Sequence, residues 1–155
     1  MANVGADLTR VWTSAQLDEG NAPSVGDIYW KGSKAYKFVE YKEGTAATDG
    51  VASEVAYYYT LDGYKNNQVT SDLSDSVEIG AGVLMAAMSD GEFGWVQIKG
   101  PATLALALTA GADGDPLTPT GSADGTLDVS GAVTDHVCAY AGDISDKEII
   151  CDFPF

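Results

Sequence analysis

Three residues of this 155-residue chain are of types that hold a metal: His136, Cys138 and Cys151. His136 and Cys138 stand two apart and so share one face of a strand, and Cys151 can meet them from a neighbour. Zinc takes four nitrogen or sulfur ligands in structural sites and three plus water in catalytic ones, usually built on close Cys pairs. No Cys-x-x-Cys pair occurs here. The three residues are therefore expected to be core side chains. The cysteines are read as buried free thiols, with a cross-strand disulfide as the alternative. A calcium site would instead use the carboxylates of Asp113-Gly114-Asp115, Asp124 and Asp128. An EF-hand loop needs oxygen donors at alternate positions and a later Glu, a pattern that is absent, so at most a weak surface site is expected. For covalent catalysis there is one His, no Gly-x-Ser-x-Gly elbow and no phosphate-cradling glycine loop. Carboxylate pairs abound and none is distinctive. The expectation is a non-enzymatic protein with no metal and no cofactor.

Charge narrows the partners. Asp and Glu number 23 against 8 Lys and Arg, a net charge of −15. Such a chain is repelled by phosphate backbones and anionic bilayers, so neither nucleic acid nor membrane is expected as a partner. A polybasic partner surface, or solubility alone, fits this charge. The N-terminus has no basic start leading into an apolar core, and no apolar run approaches the roughly 20 residues of a membrane span. Synthesis in the cytoplasm is the expectation.

The elements that must position any site read as strands. The stretch Asp90–Gly100 organises them: Asp90-Gly91 suits a tight two-residue hairpin turn. Behind it Trp95, Gln97 and Lys99 alternate with Val96 and Ile98, and Gly100-Pro101 is expected to stop the strand. Its partner across the turn is the apolar run Val83–Met88. Earlier, Ile28-Tyr29-Trp30 should turn at Lys31-Gly32-Ser33-Lys34 into Ala35–Tyr41. In Val55–Thr60, Tyr57 and Tyr59 oppose Tyr58, which predicts that one face is not a dry core, because a buried phenol needs a hydrogen-bond partner. Asp62-Gly63 reads as a turn, Gln68–Ser71 as a short strand and Asp72–Asp75 as a polar turn. Pro101–Ala110 has helix-forming residues, but Leu104, Leu106 and Leu108 alternate with alanines, and period two predicts a strand. One hairpin lies between the turns at Asp113-Gly114 and Asp124-Gly125, and His136–Tyr140 and Glu148–Phe153 are the last strands. With 18 glycines for turns, the prediction is an all-β protein, a compact antiparallel barrel or sandwich of short strands. Residues 1–20 are expected to form an extended N-terminal arm or edge strand, and 21–155 a single β domain.

Several segments carry a resemblance: Val25-Gly26-Asp27, Tyr36-Lys37-Phe38-Val39, Gln68-Val69-Thr70-Ser71-Asp72 and Ala81-Gly82-Val83-Leu84. It continues through Asp90–Gly100, Gly114-Asp115-Pro116-Leu117 and Cys151-Asp152-Phe153-Pro154. From about Val25 to the C-terminus the chain resembles the capsid decoration, or cement, proteins of tailed bacteriophages. The most specific segment is Gly94-Trp95-Val96-Gln97 followed by Gly100. The resemblance implies a structural virion protein on the outer surface of the head, bound to the major capsid protein and stabilising the shell, commonly as a homotrimer at three-fold positions. On that reading Ala2, Asn3, Val4, Leu8, Arg10, Val11 and Trp12 are the shell-binding arm, since an extended segment can lengthen a sheet edge through backbone hydrogen bonds. Tyr57, Tyr58, Tyr59, Trp95, Phe153 and Phe155 are the oligomer or partner interface, aromatic side chains being frequent anchors there. The alternative is a virion-surface or tail-associated module binding glycans or a receptor through Tyr57–Tyr59 or Trp95.

Overall fold

A computed structural model describes residues 5–155, and in it ten strands hydrogen-bond into one sheet. They are β1 Ile28–Lys31, β2 Lys34–Tyr41, β3 Val55–Tyr58, β4 Gln68–Thr70, β5 Gly80–Leu84, β6 Phe93–Thr103, β7 Pro116–Thr118, β8 Asp128–Val129, β9 Ala139–Ala141 and β10 Glu148–Asp152. Two short α-helices, α1 Ser14–Leu17 and α2 Leu61–Asn66, and a single 3-10 turn at Leu73–Asp75 complete the regular structure of the described residues. The protein is all-β, as the turn-rich sequence predicts. Its strands run in the order β1-β2-β4-β3-β5-β6-β10-β9-β7-β8, and β2 also pairs with β6, so five strands close a circuit of pairings. One pair departs from the antiparallel expectation. β2 and β4 run parallel, with Tyr41 opposite Val69, because the chain between them crosses over through β3 and α2 and so returns in the same direction.

β6 holds the two halves together. One edge pairs with β2 from Phe93 to Lys99. The other edge meets β5 at Val96 and Gln97 and then β10 from Lys99 to Thr103. Gly100-Pro101 therefore does not stop the strand. The Phe153 N–H donates to the Ile98 carbonyl, and the Leu104 N–H to the Lys147 carbonyl. Those are the hydrogen-bonded pairs, so Pro101 and Ile150 fall between them as a non-hydrogen-bonded pair. The missing Pro101 N–H thus faces the edge that β2 has already left, where no ladder bond is lost.

The side-chain alternation along β6 separates two cores. Trp95 packs with Trp12, Tyr36, Phe38 and Phe93. Val96 and Ile98 join the larger cluster with Val39, Tyr57, Leu117 and Phe153. β5 does pair with β6, and Asp90-Gly91 does form a turn, closed by the Glu92 N–H on the Ser89 carbonyl at 3.1 Å, but it is not a tight two-residue hairpin: the turn lies within a longer connection, residues 85–92. Gly91 takes φ +75°, yet its N–H donates to the Tyr41 carbonyl, and Met88 bridges Gly50. Long-range partners thus peel the chain from β6 after Met85, whose N–H still donates to the Trp95 carbonyl.

Pro101–Ala110 is a strand only to Thr103. Beyond it the Leu104, Ala105 and Thr109 N–H groups donate to Lys147, Ser53 and Leu127 in turn. Three different acceptors leave no single strand to pair with, so Leu106 is exposed while Leu104 is buried. Asp62-Gly63 is not a free turn but the start of α2, capped by Thr60, whose hydroxyl accepts from the Gly63 N–H at 2.9 Å.

Both faces of β3 are dry, against expectation, because both phenols find partners. The Tyr57 hydroxyl donates to the Thr126 carbonyl at 2.5 Å and accepts from the Thr126 N–H at 3.0 Å. The Tyr58 hydroxyl accepts from Lys37 Nζ at 2.8 Å, and that lysine is itself buried. Tyr57→Phe should lower the unfolding free energy by about 1–3 kcal/mol, because it strands the buried Thr126 N–H. Urea denaturation measures this, and an unchanged midpoint would mean the phenol contributes nothing.

Candidate functional site

The residues with chemical potential are built into structure. Cys138 and Cys151 are free and buried. Burial pushes the Cys151 thiol up to about 12 and the Cys138 thiol higher still, so neither is a ready nucleophile or ligand near neutral pH. His136 is half-buried, its Nδ1 has no hydrogen-bond partner, and burial lowers its pKa. Among the described residues no three His, Cys, Asp or Glu side chains gather as a metal would require. The loop aspartates hold backbone instead: Asp115 accepts from Ala112, Asp113 from Ile144, Asp124 from Leu73 and Asp128 from its neighbour Val129.

Of the expected interface residues, Tyr57, Tyr58, Trp95 and Phe153 lie inside the protein. They complete the two cores, and so present no platform to a partner or a sugar. Tyr59 is half-buried, and Phe155 is 62% exposed.

Of the arm, Ala2, Asn3 and Val4 lie outside the described residues. Leu8 packs against the smaller core and Val11 against the larger. Trp12 is buried and fixed to β6 by reciprocal backbone bonds with Phe93, both 2.8 Å. The Arg10 guanidinium stacks 3.4 Å above the Trp12 ring. Just after it, Thr13 caps α1 through a reciprocal capping box with Gln16. This stretch is therefore docked on the domain from Ala6 onward. A cleft of about 510 Å³ runs beside it, lined by Asp7, Arg10, Trp12, Asn21 and Trp95 among others.

What the structure assembles is an outward sheet face. Pro101, Ile150, Tyr140 and Pro116 are successive cross-strand partners on β6, β10, β9 and β7, so their side chains form one apolar row. Beside the row Phe155 packs on Trp30 at a ring separation of 6.2 Å. Lys99 Nζ lies 4.7 Å above the Phe155 ring and 2.5 Å from Asp152 Oδ1. Trp30, Tyr140, Ile150 and Phe155 are all more than two-fifths exposed, Trp30 reaching 56%. Such grouping marks a contact surface rather than scattered apolar residues.

No family model, curated protein or solved structure matches this chain. Of this face, sequence reasoning found only Phe155. The missed signal lay in β10, where Ile150 alternates with Ile149 and Cys151 and so sits with Glu148 and Asp152 on the polar side.

Proposed function

We propose that this chain is a non-enzymatic structural protein that binds the outside of a tailed-phage head shell and stabilises it. The observation that carries the reading is the outward row from Trp30 and Phe155 to Tyr140, an apolar contact surface on a protein whose net charge is −15. Contact through such a face, in a chain whose two cysteines are buried and whose Asp113, Asp115, Asp124 and Asp128 hold backbone N–H groups, suits assembly better than turnover. The charge keeps the rest of the surface from adhering to nucleic acid. Attachment of several linked copies would multiply weak single contacts with the major capsid protein, as the trimer implied by the resemblance requires.

Shell contact is assigned to the residues ahead of the Trp12 anchor. Removing residues 2–4 should weaken binding to purified shells at least tenfold and leave the unfolding midpoint unchanged. Binding is read by cosedimentation, with the copies bound per shell subunit counted by quantitative mass spectrometry. If the intact chain does not cosediment with shells, the shell reading is wrong. If the shortened chain binds as well as the intact one, the arm assignment is wrong.

A further inference from the structure

We propose that the outward face is the seat of a second copy of this chain, with the basic end of one copy's face lying on the acidic end of the next. The inference rests on the reading of the chain as a self-assembling structural protein and names the surface through which it assembles.

The argument begins with where the few cations are. Of the 8 Lys and Arg residues, three are gathered at one end of the face. Lys31 and Lys34 flank the β1–β2 turn as cross-strand partners, and Lys99 pairs with Ala35 on the adjacent strand. Asp152 offsets only one of these charges. Trp30 and Phe155 lie among them.

The opposite end has the other sign. β10 runs antiparallel to β6 from Lys99 opposite Asp152 to Thr103 opposite Glu148, about 13 Å along the strand. Beyond Glu148 the β9–β10 loop carries Asp143 and Asp146, and Asp113, whose carboxylate accepts from the Ile144 N–H, lines an open notch of about 540 Å³ with it. Lys147 is the cation there, and its Nζ is turned back onto the Ala105 carbonyl.

Between the two ends lie Pro101, Ile150, Tyr140 and Pro116. The face thus has an apolar centre with a basic rim on one side and an acidic rim on the other. A foreign basic partner would be repelled by the Lys31–Lys34 turn, and a foreign acidic one by the β9–β10 loop. A second copy set with its face reversed satisfies both ends at once, which is the charge complementarity that fixes register in a protein interface. Burying the apolar row supplies the attraction, and the rims select the partner.

The test is charge reversal and restoration in the full chain, read by solution mass in sedimentation equilibrium. Lys31→Glu with Lys34→Glu should weaken self-association at least tenfold, and so should Asp146→Lys with Glu148→Lys. All four substitutions in one chain should restore it. Tyr140→Asp, in the centre of the row, should leave a folded monomer. Circular dichroism melts check that each variant folds, which the exposure of Lys31, Tyr140, Asp146 and Glu148 favours. A wild-type chain that stays monomeric at high micromolar concentration overturns the proposal. So does an oligomer indifferent to both reversals, or a folded fourfold variant that does not recover. Solution mass is independent of shells, so a chain that self-associates this way yet ignores shells fails the shell reading and not this one.

Discussion

Gly82→Ala is expected to remove about 2–6 kcal/mol of stability, a large part of the 5–15 kcal/mol that folded domains possess. Gly82 lies in β5 at φ +151°, a region nearly closed to residues with a Cβ and costing about 1–3 kcal/mol when forced. A methyl group there would also sit 2.8 Å from the Gln97 carbonyl oxygen and from two carbons of Val96. Both belong to the strand that closes the ring, so neither can retreat without opening the β5–β6 pairing, and overpacking adds about 1–3 kcal/mol. The control is Gly91→Ala. Gly91 also has positive φ, at +75°, but nothing lies within 4 Å of its would-be Cβ, so only backbone strain should register. Urea midpoints compare the two, and an equal loss in both variants would refute close approach as the cause.

The second large effect is a loss of stability in alkali. Burial raises the Cys138, Cys151, Tyr57 and Tyr58 pKa values above the ordinary 9.0 for a thiol and 10.0 for a phenol, Cys151 to about 12. In the unfolded chain the thiols lose protons from about pH 9 and the phenols from about pH 10. The folded chain holds them. Above pH 9 the unfolded state therefore binds fewer protons, and stability falls as pH rises, by roughly 1.4 kcal/mol per pH unit for each such group. Lys37 acts in the opposite sense, since burial lowers its pKa from 10.5 and its proton is held more tightly by the unfolded chain. Four groups outweigh one. Urea unfolding at pH 8, 9.5 and 10.5 should show the decline, and Cys138→Ala with Cys151→Ala should delay its onset to about pH 10. Constant stability up to pH 10.5 would contradict the burial of all four groups.

How much of this was legible depended on how local the cause was. The β1–β2 hairpin follows from Gly32 between two aromatic strands and forms as read, whereas the β9–β10 hairpin forms around the loop at Gly142–Lys147 with its first strand at Ala139–Ala141, so that His136 and Cys138 are not strand neighbours as expected. The 85–92 connection could not be read from Asp90-Gly91, because the bonds that reshape it come from Tyr41 and Gly50. Tyr57 looked like a surface residue because its partners, Ser122 to Thr126, lie far along the chain. Pro101 was read by a local rule that holds only where both edges of a strand are paired. Within the candidate site, Phe155 was visible as a chain-end aromatic after proline. The row of Pro101, Ile150, Tyr140 and Pro116 was not, since it exists only once four strands are laid side by side.

The order of the strands also decides where the protein can grow. It begins at β1 and ends at β8, so the longest strands, β2 and β6, lie inside it. β1 has four residues and terminates on Lys31, and β8 has two. Short borders carrying a lysine are poor templates for strand addition. At high local concentration such a molecule is guarded against fibre-like stacking, and any ordered contact between copies is left to its faces.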